Sequence, residues 1–451
     1  MCRGFHGCAR NKSPFPRWDE KVRVMKTKFS LRLIIFAILW LGLGVLHLEG
    51  KLDPRLLGPA GAFTLLMAAG AVLERVTRYR GDPFILPTVE AIVSVGVVFL
   101  ARIRPDLALH QLWWAMAGLV LYYLLLWGLR DYRRLGNLQY FWGLAAVGLL
   151  VVTLLFGVTS GGATSWLRLG PFTVEPEELV KVALLLFLAS YLGEHETLLR
   201  VGTVQIGRMS VPDVRTLGPF LLMAAFSLGL LAAQKSLGTA LVFYALFVLL
   251  LYAVTDRALY LGVSIPVFLL TGWLGYTLFG HVRVRVEAWL NPWRDIAGGG
   301  YQIAQSLFAI AGGGVLGTGL GNGIAAFQVP AVSTDFIFAA IAEELGFVGA
   351  MAVICLFLIV VLRAFSISMK TSDHFGQILA AGIGILIGTE SLVILTGVTK
   401  LLPLTGIPLP WISYGGSSML VHFLLLGLLS RISQAESKNS LAEAKGREYA
   451  T

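Results

Sequence analysis

Charge is scarce in this chain: only 14% of its 451 residues are Asp, Glu, Lys or Arg, while 56% are hydrophobic. Soluble domains average about 25% charged residues, so the scarcity excludes a water-solvated globule, and the mean hydropathy of +0.76 points to the bilayer as solvent. Cysteine is nearly missing too. Cys2, Cys8 and Cys355 have no spacing that would build a disulfide framework or a thiolate metal site. A short cleavable signal peptide is also lacking, because the first apolar run is long and starts late. Acidic residues are few, 26 against 36 Lys and Arg, for a formal charge of +10. That excess is concentrated rather than spread. Residues 1–30 hold Arg3, Arg10, Lys12, Arg17, Lys21, Arg23, Lys26 and Lys28 against Asp19 and Glu20. A basic tail before an apolar run is a cytoplasmic retention signal that anionic lipid also attracts, and no nucleic-acid partner is expected. Met25, followed by "KTKFS", would serve as a start, making residues 1–24 an upstream extension.

What is present is span after span. A hydrocarbon core about 30 Å thick takes about 20 helical residues to cross. Apolar windows of that size fall near 31–48, 56–75, 84–101, 112–129, 139–157, 179–194, 216–234, 238–254, 258–280, 344–363, 377–397 and 414–430. An even number puts both ends on one side. Arg75, Arg78 and Arg80 follow the second window, Arg130, Arg133 and Arg134 the fourth, and Arg200, Arg208 and Arg215 the sixth. Arg363 and Lys370 follow the tenth, and Arg431 and Lys438 the last. All share the basic tail's side, as a cytoplasmic face requires; Arg102, Arg104, Arg283 and Arg285 run against the bias. The expectation is an all-α polytopic protein of about twelve helices, both termini cytoplasmic, with one long outer loop at about 281–340.

Within that loop, Ile303, Leu307 and Ile310 repeat at helical spacing opposite Gln302, Gln305 and Ser306. Such a helix would lie in the interface with its apolar face in lipid. The glycines at 312–314, 317, 319, 321 and 323 permit tight turns or close approach to a ligand, although a flexible connection is the plainer reading. Ionisable residues within spans cost about 3 kcal/mol each and mark function by default. Glu178 and Lys181 share one helix face, Asp335 and the pair Glu343/Glu344 flank the tenth span, and Lys400 opens the loop before the last. Each alone reads equally well as an interhelical ion pair. Together with Asp295 they fall on the outer side, and the convergence points to a shared polar cavity.

Five stretches carry a likeness: "GATSWLRLGPFTVEPEELVKVALLLFLASYL" at 162–192, "QKSLGTA" at 234–240, "NPWRDIAGGGYQIAQSLFAIAGGGVLGTGLGNG" at 291–323, "STDFIFAAIAEELGFVGA" at 333–350 and "LPLTGIPLPWISYGGSS" at 402–418. In this order they resemble the SEDS family (shape, elongation, division and sporulation), the membrane peptidoglycan polymerases typified by RodA, FtsW and SpoVE. The likeness covers about residues 80–432. The family core has ten spans, which implies a basic tail at 1–29, two added helices at 30–78, a core at 79–432 and a cytoplasmic tail at 433–451. The chain departs from the pattern in places. "EPEE" stands where the family has Gln-Pro-Ser-Glu, Ser236 replaces the Asp of Gln-x-Asp-Leu-Gly, His110-Gln111 replaces an Arg-Gln, and "PAVS" replaces Pro-Glu-Ala-His. Loss of that Arg and Asp together would avoid an unpaired charge in lipid.

The resemblance implies elongation of glycan strands from lipid II, with release of undecaprenyl diphosphate, for division or cell shape; "GLGNG" leans toward division-type members. An alcohol nucleophile needs a base and a diphosphate leaving group needs positive charge, so one carboxylate with nearby cations is expected rather than a glycosidase pair. Asp295 fits the base. Lys181, Lys400 and Arg168 are candidates for the diphosphate; Gln302, Gln305, Ser306, Ser413 and Ser417 are further substrate-binding candidates. A divalent cation, Mg²⁺ or Mn²⁺, would be placed by Glu178 or Asp335, and no organic cofactor is expected. The implied partners are the nascent glycan strand, membrane lipid and a class B penicillin-binding protein, in a bacterial plasma membrane. A lipid II flippase and a scaffold for a transpeptidase are the rival readings.

Overall fold

The structure, a computed structural model, describes residues 18–160, 163–170, 172–201, 204–206, 209–211 and 213–448. Arg3, Arg10, Lys12, Arg17 and Arg208, and Gly162 and Pro171 of the first quoted stretch, lie outside the described residues.

Among the described residues, twelve helices are long and apolar enough to cross a membrane, and each overlaps one of the windows read from hydropathy. In chain order the first are α1 (Trp18–Leu48), α2 (Leu57–Val76), α3 (Ile85–Ile103), α4 (Pro105–Gly128) and α5 (Gln139–Phe156). Then come strands β1 (Val158–Ser160), β2 (Ala163–Leu169) and β3 (Phe172–Val174), followed by α6 (Pro176–Val201). A second pair of strands, β4 (Val204–Ile206) and β5 (Met209–Val211), precedes α7 (Val214–Ala233), α8 (Leu237–Thr255) and α9 (Ala258–Leu278). The long connection holds α10 (Gly280–Leu290), α11 (Tyr301–Gly313) and the single turn α12 (Ala325–Gln328). The chain closes with α13 (Ile337–Lys370), α14 (His374–Val398) and α15 (Gly416–Glu448). Both small antiparallel sheets fall between spans, where hydropathy says little.

Local chemistry explains several helix boundaries. Asp53 caps the turn that opens on Pro54, and Pro105 begins α4 where its missing N–H costs nothing. Asp373 accepts from the Gly376 N–H at 2.7 Å to start α14. The bundle is layered: α3 and α14 are mostly covered by protein, whereas α9 has no buried residue and meets the surroundings all round. α14 lies at the centre against α6, α8, α13 and α15. Successive spans reverse direction, so β1–β3, α10–α12 and residues 399–415 gather at one end of the bundle, called here the loop end.

α11 differs from its expected place. Ile303, Ala304, Ser306 and Ala309 are all buried, against α13. Ser306 therefore lies on the packed face rather than opposite Ile303, because residues three apart on a helix share a side. The helix packs on α13 through this face, while Phe308 stays exposed.

α13 is broken at Gly346, whose backbone has φ 66° and ψ −169°. A Cβ there would sit 2.3 Å from the Gly317 nitrogen and 2.5 Å from the Val315 carbonyl oxygen. Both the conformation and the contact require glycine. Gly346→Ala is expected to lower stability by about 1–3 kcal/mol, whereas Gly272→Ala, at an open position on α9, should leave it nearly unchanged. Thermal unfolding of the detergent-solubilised protein, followed by tryptophan fluorescence, would compare the two.

Candidate active site

The first turn of α6 carries a run of acids, and two spans far along the chain complete it. The Lys181 ammonium lies 2.8 Å from Glu178 on its own helix and 2.5 Å from Glu390 on α14. Glu390 in turn lies 2.7 Å from Nε2 of His422 on α15, whose Nδ1 donates to the Ser418 carbonyl at 2.7 Å. A carbonyl only accepts and a carboxylate oxygen shares a proton across the second contact, so the imidazole is held from both sides. All four ionisable groups are almost fully buried. In this low dielectric, removal of one partner from such a set costs about 3–5 kcal/mol.

The network reaches the loop end through Glu175, whose N–H donates to Ser417 Oγ at 3.2 Å. Burial, then the charges of Glu178 and Glu177, push the Glu175 carboxyl well above the usual range. Asp335, just before α13, is pushed up to about 6 by burial, a rise moderated by its Thr334 hydrogen bond and by Arg285. Arg285 on α10 is lowered by burial, with Asp335 opposing, and donates to the Thr405 carbonyl at 2.9 Å. Gly406, with φ +73°, lets the 402–415 loop pass beside this pair: a Cβ there would lie 3.2 Å from Arg285 Nη2 and 3.5 Å from Asp335 Oδ2. Ser413 donates to the Thr334 carbonyl and accepts from the Leu409 N–H, and Tyr414 N–H donates to Ser333 at 2.9 Å. Ser413 and the "PAVS" turn thus fasten one loop to another.

Asp295 stands apart from these buried charges. It is exposed at the end of a short 3-10 turn, Pro292–Asp295, and one oxygen accepts from the Gly299 N–H at 2.8 Å. Its turn is held from both flanks: Trp289 Nε1 donates to the Lys400 carbonyl at 3.1 Å, and Ser306 Oγ donates to Val398 at 2.9 Å. Lys400 is half-buried at a left-handed φ of 61°, with no partner for its ammonium among the described residues. Gln302 and Gln305 are half-exposed on α11, likewise without a side-chain partner among the described residues. Arg168 projects from β2, exposed, opposite Thr173 of β3.

The charges that converge in sequence therefore separate into distinct groups. Glu178, Lys181, Ser417, Asp335 and Ser413 belong to one connected region. Glu343 and Glu344 are taken up by backbone N–H groups of the glycine loop: Glu344 accepts from Gly321 at 2.8 Å, and Glu343 from Ala325 at 2.8 Å. A cavity of about 600 Å³ lies at the other end of the bundle, lined by Arg133, Asn137, Glu194, Asp373 and His374; it is not the shared outer cavity that the sequence suggests. Glu390 and His422 do not stand out as site residues in the sequence, and Arg285 does so only by running against the charge bias. Their signal was a lone ionisable group inside "IGTESLV" and "MLVHFLL", and an arginine on the less basic face.

Ser236 and His110 make separate contacts. His110 Nδ1 bonds the Asp106 carbonyl of its own helix at 2.8 Å, while Ser236 Oγ donates to Glu177 Oε2 at 2.6 Å. Against the family pattern, with Ser at position 177 and Asp at 236, hydroxyl and carboxylate stand at exchanged positions in this chain, where the two meet.

A family model described as "Cell cycle protein", spanning FtsW, RodA and SpoVE, matches residues 88–438. The chain belongs to the FtsW/RodA/SpoVE family. Peptidoglycan glycosyltransferase RodA of Mycobacterium tuberculosis is 38% identical over 383 residues, which are 82% of this chain and 81% of that protein. Stage V sporulation protein E of Bacillus subtilis is 35% identical over 290 residues, 63% of this chain and 76% of its own. Among solved structures, a chain from a peptidoglycan synthase complex that coordinates polymerization and crosslinking superposes with TM-score 0.65 at 31% identity, covering 79% of this chain and 98% of that one. RodA of Thermus thermophilus gives TM-score 0.56 at 27% identity, with 79% and 97% covered.

Within the FtsW/RodA/SpoVE pattern, the exchanged pair is testable. Ser236→Asp alone would place two carboxylates in hydrogen-bond contact and should destabilise the protein by about 2 kcal/mol or more. Adding Glu177→Ser should restore most of that loss. A double-mutant cycle on thermal stability measures the coupling.

Proposed function

We infer that this chain is a peptidoglycan glycosyltransferase that polymerises lipid II into glycan strands and releases undecaprenyl diphosphate. The observation that carries the mechanism is the Asp295 turn. One carboxylate oxygen is occupied by Gly299, the other faces solvent, and the turn is fixed on both flanks to the 398–400 segment. The acceptor sugar's hydroxyl gives its proton to Asp295 as its oxygen bonds the anomeric carbon of the donor. The bond from that carbon to the diphosphate oxygen breaks, and its electron pair leaves with the diphosphate. Water-exposed sugars reach this turn while the prenyl chain stays in lipid.

Lys181 is held between Glu178 and Glu390, so its charge is already balanced. Lys400 and Arg168 are the freer cations for the leaving diphosphate. The described residues hold no group of three or more His, Cys, Asp or Glu able to grip a metal ion alone, whereas Mg²⁺ is commonly bound by one or two carboxylates plus substrate phosphates. Glu178, whose Oε2 has no hydrogen-bond partner, and Asp335 are the carboxylates suited to a cation carried on the substrate. Such a cation would supply charge stabilisation to the diphosphate.

The chain is a multi-pass membrane protein, and we place it in the bacterial plasma membrane with both termini cytoplasmic. Its solved relative in a polymerization and crosslinking complex supports a class B penicillin-binding protein as partner. RodA proteins match 82% of this chain against 63% for FtsW and SpoVE, which favours cell-shape maintenance over the division branch suggested by "GLGNG".

Asp295→Asn should reduce strand synthesis from purified lipid II by about a hundredfold or more, with the thermal unfolding temperature unchanged because the side chain is exposed. Normal strand length and rate from the amide variant would instead favour a flippase or scaffold role.

A further inference from the structure

The family match begins at residue 88, and the solved synthase chain is 98% covered by only 79% of this one. The helices α1 and α2 are therefore additional to the shared core. Nothing in their hydropathy distinguishes them from an anchor. The turn between them does.

That turn, Glu49-Gly50-Lys51, projects at the loop end of the bundle. Gly50 has φ +66°, and the Lys51 N–H folds back onto the Leu46 carbonyl at 2.8 Å, which aims the lysine away from α1. Its ammonium, paired with Glu49 at 2.7 Å, donates to the Gly321 carbonyl at 3.0 Å and to Asn322 Oδ1 at 3.2 Å. From the core side, Arg102 at the end of α3 donates to the same Gly321 carbonyl at 2.9 Å. The Gly321 N–H is taken by Glu344 at 2.8 Å. The two peptide groups that flank the Gly321 Cα are thus gripped by the added hairpin and by two core helices. The φ of +92° favours glycine here.

The gripped segment is the glycine-rich stretch that leaves α11. It is stitched along α13 as well, with Thr318 N–H bonded to Glu343 and Phe347 N–H to Gly314. α11 follows the Asp295 turn directly, so whatever fixes residues 314–325 also fixes one end of the element that carries that turn.

We propose that the added N-terminal hairpin is a clasp on the outer loop, and that Lys51 is a positioning residue acting through Gly321 on the Asp295 turn. This rests on the glycosyltransferase reading for its consequence, but not for the clasp itself. The hairpin is separately fastened within the membrane by Arg32, 3.2 Å from Glu74 and 3.8 Å from Glu90. A change at Lys51 therefore loosens the loop without detaching the helices.

The test uses the full chain in lipid nanodiscs, comparing Lys51→Met and Lys51→Arg with the unsubstituted protein. In the Met variant, amide hydrogen exchange across 314–325 should quicken by about tenfold, with that of α14 unchanged. Its kcat for lipid II should fall by about tenfold at similar KM, and Arg should restore both. Unaltered exchange in the Met variant would overturn the clasp and leave the hairpin an anchor. Faster exchange with normal kcat would overturn the positioning role. Failure of the unsubstituted protein to make strands would count against the glycosyltransferase reading alone, since exchange would still report on the clasp.

Discussion

The constraint on which this structure depends is that a charge removed from water must meet an opposite charge or a fixed dipole. The bundle centre satisfies it with Lys181 between Glu178 and Glu390, and Glu390 against His422. Three spans distant in sequence are thereby tied at one depth, since α6, α14 and α15 each supply a member that the others cannot spare. Apolar packing in lipid is weakly directional. The ion network supplies the register that apolar contact leaves open, and it does so beneath the loops that meet substrate.

The loop end obeys the same constraint with backbone groups. Glu343 and Glu344, two turns into α13, are buried, and they accept hydrogen bonds from the N–H groups of Gly321, Ile324 and Ala325. Arg102 adds its charge while stacking 5.0 Å from the Phe327 ring. A segment that composition describes as flexible is thus an ordered wrapping around a broken helix. Its glycines serve close approach, most plainly where Gly317 and Gly346 pass each other. Asp295 is left exposed toward water, as its proposed chemistry requires.

Much of this was readable in advance, and the reasons differ by feature. The spans were legible because lipid demands long apolar runs, and all twelve helices fall on them. The Glu178–Lys181 pair was legible from its spacing on one helix. The side of α11 on which Ser306 lies was not legible, because a polar–apolar pattern does not say which residues a neighbour such as α13 covers. The exchange between Glu177 and Ser236 was hidden because each substitution taken alone looks like the loss or gain of a charge. The small sheets escaped because four of their five strands are three residues long, too short to carry a readable periodicity.

By itself the sequence determined the solvent of this protein, the number of its crossings and the motifs that place it among its relatives, because hydropathy and local spacing are properties of a contiguous chain. Only the tertiary structure decided which charges meet. Glu390 and His422 are 32 residues apart, and Lys51 and Gly321 are 270. Partnership over such separations follows from how helices pack, and the energy of a buried charge depends on what packing brings within a few ångströms of it.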